Sequence, residues 1–187
     1  GDVKGTGGPF ACVWSPDDCS RTIAELHHPG NARMITAVGL SSDGLTAVTF
    51  AADDMHTFFI WRNYFKKAEA DRPTLAPIYS SSSGREPTHS VHMYPFNVGS
   101  MKMTFATVGK GHFKHWTMDL STPGGPTVTQ KKGLYGKCAA PKNPTGWAWR
   151  PEDDGSAWLV GDNGYIFVVM GCNATFQKRL PPPQQAI

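Results

Sequence analysis

The chain has 187 residues, of which 40% are hydrophobic and 18% are charged, and its formal net charge is +3. This composition is that of an ordinary globular protein, and no apolar run approaches the roughly 20 residues that span a bilayer. The charge is too weak to predict a nucleic-acid partner, although it suits an acidic protein partner. The 20 glycines and 15 prolines fall between short runs of strand formers, which favours an all-β fold.

Strand-forming runs follow one another along the whole chain. After the glycine-rich residues 1–9, Phe10–Trp14 is predicted to be an inner or middle strand without an earlier partner, and Ser20–Leu26 an outer strand. We therefore expect the chain to start partway through a structural unit, with no secretory signal ahead of it. Three further units of four strands are predicted at 34–40, 46–50, 57–61 and 75–80, at 90–95, 102–108, 112–118 and 127–131, and at 146–150, 157–160, 165–169 and 175–179.

Two local features qualify this pattern. The composition of Thr46–Phe50 predicts a strand that is buried on both sides, whereas Phe65–Ala70 could form a helical turn in the polar loop before the next strand. Pro181–Pro183 cannot donate ladder hydrogen bonds and is predicted to end the ordered fold, so that 181–187 is a tail or linker.

A β-hairpin that ends on tryptophan recurs along the chain. In its central copy, Met103–Val108 leads through a glycine-bearing turn to His112–Trp116. Trp14, Trp61 and Trp116 are spaced by 47 and 55 residues, and aligning Gly109 with Gly161 places Val168 at the position of Trp116. A WD-type propeller blade has four strands and a period of roughly 40–45 residues, to which longer loops can add.

The repeat predicts a WD40-type β-propeller with about three and a half four-stranded blades. The blade remnants are placed at 1–26, 34–80, 88–131 and 145–180, within a domain covering 1–180. Closed propellers have about four to eight blades, so we expect these residues to be part of a larger ring. The missing blades would come from the rest of the polypeptide or from another copy, because an open ring leaves bare sheet faces.

Histidine and aspartate pairs are the candidates for chemistry. Residues three apart on a strand point to opposite faces, so His112 and His115 cannot share one metal ion without a bulge. The pairs Asp17-Asp18, Asp53-Asp54 and Asp153-Asp154 lie beside turns, where aspartate caps the backbone. No phosphate-binding loop, nucleophile elbow or zinc-protease helix is present in the sequence. We therefore predict no enzyme activity, no metal and no cofactor.

Several residues are predicted to be structural. Trp61 and Trp116 end inner strands and should pack between neighbouring blades, while Trp147 and Trp149 should share one face of a strand. His112 should form a hydrogen bond across the blade from its turn.

The order of the motifs resembles the echinoderm microtubule-associated protein-like (EMAP-like) family over nearly the whole chain. The similar segments include the stretch that ends at Trp14, Ile35–Gly44 with Phe59–Trp61, Phe105–Trp116, Lys131–Lys137 and the Asp162 turn at 160–164. Two positions depart from the family pattern, namely Ser15-Pro16 after Trp14 and Val168 where tryptophan is common. The family's hydrophobic motif and its trimerising coiled coil are absent from this sequence.

The resemblance implies half of the first ring of a tandem propeller that binds tubulin, microtubules or axonemal partners, in the cytoplasm on the microtubule cytoskeleton or in a cilium or flagellum. It implies no enzyme, nucleic acid or membrane role, and it allows self-association or association with the missing half of the propeller. Trp14, Trp61, His112, Trp116 and Asp162 would be structural blade residues. The loop lysines are either solvated or contact acidic tubulin, the candidates being Lys66, Lys67, Lys110, Lys137 and Lys142. The alternative is a generic WD-repeat scaffold for a different protein or a short peptide.

Overall fold

The structure is a computed structural model that describes residues 8–62 and 75–181, apart from the side chain of Arg21. Within these residues the chain forms antiparallel strands in consecutive order, which confirms the predicted all-β fold. No helix in this part of the chain is long and apolar enough to cross a membrane. The first sheet has two strands, β1 (Phe10–Ser15) and β2 (Asp18–His27).

Three four-stranded sheets follow along the chain, and each is a meander whose strands pair in order. The second sheet contains β3 (Ile35–Leu40), β4 (Thr46–Ala51), β5 (Thr57–Arg62) and β6 (Tyr79–Ser82). The third sheet contains β7 (Thr88–Met93), β8 (Lys102–Gly109), β9 (His112–Asp119) and β10 (Thr127–Lys132). The fourth sheet contains β11 (Pro144–Trp149), β12 (Ser156–Gly161), β13 (Tyr165–Met170) and β14 (Asn173–Arg179).

Consecutive sheets pack face to face, with an apolar cluster between each pair. We call the face of a sheet on the side of the preceding sheet in the chain its leading face. The face on the side of the following sheet is its trailing face. The cluster between the second and third sheets contains trailing-face Phe50 and Phe58, and leading-face Phe105 and Trp116. Similar clusters join the first sheet to the second and the third to the fourth. Every residue of β4 is buried because sheets cover both of its faces, as predicted.

The predicted tryptophan positions divide into buried and exposed. Trp61 and Trp116 are buried on leading faces, whereas Trp14 is 55% exposed because no sheet in the described residues covers the leading face of the first sheet. The rings of Trp147 and Trp149 lie 5.1 Å apart, as expected for residues on one strand face.

The fourth sheet corrects the predicted position of Val168. The turn between β8 and β9 has two residues, whereas three residues separate β12 from β13, so the repeat shifts by one position. Val169, which is buried on the leading face, therefore takes the place of Trp116, and Val168 lies on the opposite face. Sequence alignment on Gly109 and Gly161 missed this shift because it assumed turns of equal length.

Several strand boundaries also differ from the predictions, and two of them have a clear physical reason. The last strand of the second sheet begins at Tyr79 rather than Leu75, since Pro77 has no N–H group to donate to a ladder. The first strand of the third sheet covers Thr88–Met93 rather than Ser90–Pro95, because Thr88 pairs with Gly109. The possible helical turn at 65–70 lies outside the described residues.

Candidate functional site

The connections between strands form two edges of the stacked sheets. Because the strands alternate in direction, the turns between the second and third strands of the three larger sheets lie at one edge, at 52–56, 110–111 and 162–164. The connections from one sheet to the next reach the same edge, at 28–34, at 83–87 and at the end of 133–143. Backbone hydrogen bonds tie these segments together, such as Lys110 N to Pro87 O at 3.0 Å and Asp162 N to Asn143 O at 3.0 Å. We call this the upper edge, and the opposite one, which carries 94–101 and 150–155, the lower edge.

The structure brings two of the predicted binding lysines together. Lys110 lies in the β8–β9 turn, and a Cβ atom on the adjacent Gly111 would lie 3.9 Å from the carbonyl oxygen of Lys142. Both lysines are exposed at the junction of the third and fourth sheets. No ion pair within residues 8–62 and 75–181 involves either of them. The upper edge therefore presents two exposed cations on adjoining backbone segments, neither of them in an ion pair with a described residue.

The other three predicted lysines are not part of this pair. Lys137 is exposed, but its connection first follows β14, where Ala139 N donates to Gln177 Oε1 at 2.6 Å, before it reaches the upper edge. Lys66 and Lys67 lie outside the described residues.

Sequence reasoning missed one cation close to this edge. Lys114 lies opposite Lys132 on neighbouring strands and donates through Nζ to the carbonyl oxygen of Ser83. Burial lowers the pKa of Lys114, and the charge of Lys132 lowers it further, although Glu86 opposes both effects. The alternation of His112 and Lys114 on one strand was the available signal, because it places both side chains on the same face.

His112 and Asp162 hold the turns of the upper edge. The His112 ring is buried and donates from Nδ1 to the carbonyl oxygen of Lys110 at 3.1 Å. This hydrogen bond closes the turn that precedes His112, whereas a hydrogen bond across the blade was predicted. Burial lowers the pKa of His112. Asp162 accepts hydrogen bonds from the backbone and side-chain nitrogens of Asn143 at 2.9 and 3.1 Å, and thereby fixes the connection that carries Lys142.

A buried polar network stabilises the upper part of the second sheet. Trp61 Nε1 donates to the Thr49 hydroxyl oxygen at 2.9 Å, and the same oxygen lies 2.6 Å from His28 Nε2. Burial lowers the pKa of His28 to about 4, against the opposing charge of Asp53. The neutral ring and the Thr49 hydroxyl group share one hydrogen bond, in which the tautomer of the ring sets the donor.

The number of hydrogen-bonded groups at these positions falls from the second sheet to the fourth. In the third sheet Trp116 Nε1 donates to Thr107 Oγ1 at 2.9 Å, in the same register as Trp61 and Thr49. In the fourth sheet the corresponding positions, Leu159 and Val169, are apolar. Each threonine–tryptophan pair lies within one hairpin but at a different spacing, 12 residues in the second sheet and 9 in the third, whereas the histidine partner lies in another connection.

A cleft of about 400 Å³ opens at the lower edge between the third and fourth sheets. Its walls include Tyr94, His115 and Trp149, and the rings of Tyr94 and Trp149 lie 4.9 Å apart. Tyr94 donates to Asp153 and accepts the backbone N–H of Gly155 at 3.1 Å, which orders the loop beside the cleft. The arrangement offers aromatic surface and the Asp154 carboxylate to a small group or a peptide side chain.

The aspartate pairs serve turns, as predicted. Asp53 accepts backbone N–H groups of Met55 and Thr57 at 3.1 and 2.9 Å, and Asp154 accepts that of Ser156 at 2.8 Å. Burial alone would raise the pKa of Asp53, but these hydrogen bonds outweigh it and hold the pKa below its ordinary value. No group of three or more metal-ligating side chains occurs in the described ranges.

The comparisons with known proteins identify the fold. No family model matches the sequence, and no curated protein matches it. Among solved structures, the chain is similar to the β-propeller domain of Cps50 (Swd1) from Myceliophteria thermophila, with a TM-score of 0.57 and 12% sequence identity. The match covers 86% of this chain and 46% of that chain, so these residues span less than half the length of that propeller. The stacked sheets therefore have a β-propeller fold, as the repeat predicted.

Proposed function

We propose that this chain is a non-enzymatic protein-interaction module whose upper edge binds tubulin or microtubules, as its resemblance to the EMAP-like family implies. The observation that carries the proposal is the adjacent pair of exposed lysines, Lys110 and Lys142, at the junction of two sheets. Propeller loops supply surfaces on a rigid scaffold, so cations placed there keep their spacing when a partner binds. A location on the microtubule cytoskeleton follows from the same proposal.

Charge is the physical basis of this proposal. Unpaired surface cations steer an acidic partner during encounter, and this attraction weakens as salt screens it. Lys114 and Lys132 extend the positive potential from the edge along the third sheet. The partner expected from this surface is a protein face rich in carboxylates.

Cosedimentation with microtubules at two salt concentrations tests the proposal. We expect binding at low salt that falls as salt rises, and a loss of binding in the triple variant Lys110→Glu, Lys137→Glu, Lys142→Glu. The control for position is Lys102→Glu, because Lys102 is also exposed but lies at the lower edge, 3.6 Å from Asp119. Binding that ignores salt, or that is the same in the triple variant and the control, contradicts the proposal.

The lower-edge cleft supports a second candidate, a scaffold that binds a short peptide. Aromatic walls with a nearby carboxylate suit a cationic or apolar peptide side chain. Selection from a random peptide library, followed by titration, would test it. Peptide binding that survives the triple lysine variant but is lost in Tyr94→Ala and Trp149→Ala would favour this candidate over the first.

A further inference from the structure

The two faces of the third sheet differ at the lower edge. On the leading face, the apolar cluster shared with the second sheet includes Met103 and Met118, which pair with each other close to this edge. On the trailing face, no described residue of β8 or β9 that lies nearer to this edge than Ala106 belongs to the cluster shared with the fourth sheet. The cleft of about 400 Å³ lies in the part of this junction that the cluster does not fill.

Three rings at near right angles form walls of this cleft. The Trp149 ring lies at 75° to the Tyr94 ring and at 79° to the His115 ring, with centroids 4.9 and 6.2 Å away. The Tyr94 hydroxyl group is already hydrogen-bonded to the loop 150–155. Trp149 Nε1 likewise donates to the carbonyl oxygen of His92 at 3.0 Å. Tyr94 and Trp149 therefore offer a ligand π surface and C–H groups.

Two carboxylates give this part of the lower edge a negative potential. Asp154 lines the cleft, and Asp153 and Asp154 are both exposed. Neither is in an ion pair with another residue of 8–62 or 75–181. Burial raises the pKa of Tyr94, and its hydrogen bond to Asp153 and the charges of both carboxylates raise it further, against one backbone N–H group. The same potential that opposes ionisation of this ring attracts a cation.

The cations near the cleft do not cancel this potential. Arg150 lies 3.2 Å from Glu152 in an ion pair, and Lys131 is exposed on β10, opposite His115. Burial lowers the pKa of His115, and the charge of Lys131 lowers it further, so the ring is uncharged at neutral pH. Among the described residues that line the cleft, Asp154 is then the only one with a charge.

A second groove, of about 370 Å³, adjoins the cleft on the third sheet, and Thr104 lines both. Thr104, Thr117 and Thr129 form one row across three strands. The hydroxyl oxygens of Thr117 and Thr129 are 2.7 Å apart. Because a hydroxyl group can both donate and accept, such a row suits the main chain of an extended peptide.

We propose that the cleft binds the methylated ammonium group of a lysine side chain, and that the rest of the peptide lies in extended form along the threonine row. Tyr94 and Trp149 contact the methyl groups, and Asp154 lies near the charge. A quaternary ammonium group needs no hydrogen bonds and is attracted to aromatic faces, whereas an unmodified ammonium group is strongly hydrated and would exchange water for π surface. This inference rests on the peptide-binding candidate given above and not on tubulin binding.

Three blocked glycine–alanine heptapeptides that differ only in the central side chain test the proposal by isothermal titration calorimetry. The side chains are trimethyllysine, lysine, and the uncharged carbon isostere of trimethyllysine. We expect the first peptide to bind at least about fivefold more tightly than either of the others, because the attraction needs both the charge and the methyl groups. Equal binding of the isostere overturns the inference while the peptide-binding candidate stands. If none of the three binds, the inference fails, and the library selection decides the peptide-binding candidate separately.

Variants make the test specific to the cleft. Trp149→Leu and Asp154→Asn should each weaken binding of the trimethyllysine peptide at least about threefold. The matched controls, Trp158→Leu and Asp43→Asn, should not, because Trp158 lies on the other face of the fourth sheet and Asp43 holds a different lower-edge loop through the Gly99 N–H at 3.1 Å.

Far-ultraviolet circular dichroism checks that each variant is folded. Binding that survives in both cleft variants overturns the proposal. Binding to phosphatidylcholine vesicles that is as tight per headgroup as binding to the peptide would make a membrane the partner, and overturns it as well.

Discussion

Replacing Thr49 by valine tests the energetic role of the polar network. The two side chains have nearly the same shape, so the change removes the hydroxyl group without opening a large cavity. Trp61 Nε1 then loses its acceptor and His28 Nε2 loses its hydrogen-bond partner, and both groups remain buried. Each unsatisfied buried group costs about 1–3 kcal/mol, so we expect Thr49→Val, which leaves two such groups, to lower the free energy of unfolding by roughly 2–6 kcal/mol.

Thr107→Val is the matched control in the next sheet. Thr107 is equally buried, but its hydroxyl group serves only Trp116 in the described network, so the expected loss is about 1–3 kcal/mol. Urea denaturation measures both, through the shift of the midpoint at an unchanged slope.

A double-mutant cycle between Thr49→Val and His28→Phe separates the pair from other effects. Because the two side chains contact each other, we expect a coupling free energy above about 0.5 kcal/mol. The reasoning fails if the free energy of unfolding of Thr49→Val lies within about 0.5 kcal/mol of that of the parent chain. It also fails if Thr49→Val lowers that free energy no more than Thr107→Val does.

Three further predictions concern stability. The folded-state pKa of His28, about 4, lies below its unfolded value near 6.5, so the unfolded chain binds more protons between these pH values. The stability that the neutral ring contributes should therefore be fully present above pH 6.5 and be lost as the pH falls towards 4. In urea titrations, His28→Phe should flatten that part of the profile of stability against pH. Trp116→Ala should cost about 3–5 kcal/mol, because the ring is buried and stacks on Phe105 at 5.4 Å; thermal unfolding checks this, and a cost below about 1 kcal/mol would contradict the packing. Gly109→Ala should destabilise the upper edge, because the added Cβ would lie 2.1 Å from the Pro87 carbonyl oxygen, whereas the exposed Gly124 has open space and should tolerate alanine in the same assay.

Local patterns in the sequence determined the strands and their pairing order. A run such as Thr46–Ala51, followed by a turn with aspartate at its start, folds as part of a hairpin wherever it lies, since strand formation and turn chemistry depend on near neighbours. The repeat of such hairpins was enough to predict an all-β propeller, and the position of Lys110 in a turn followed from the same pattern.

The tertiary structure alone decided which equivalent positions are buried, and which distant groups meet. Trp14 and Trp61 end similar strands, yet one is exposed and the other buried, because burial depends on whether another sheet lies against the strand. Likewise, His28 reaches Thr49 across 21 residues of sequence, and Lys142 reaches the Lys110 turn, through packing between sheets. Such contacts leave no periodic signal, because their partners are set by the register and stacking of whole sheets and not by spacing along the chain.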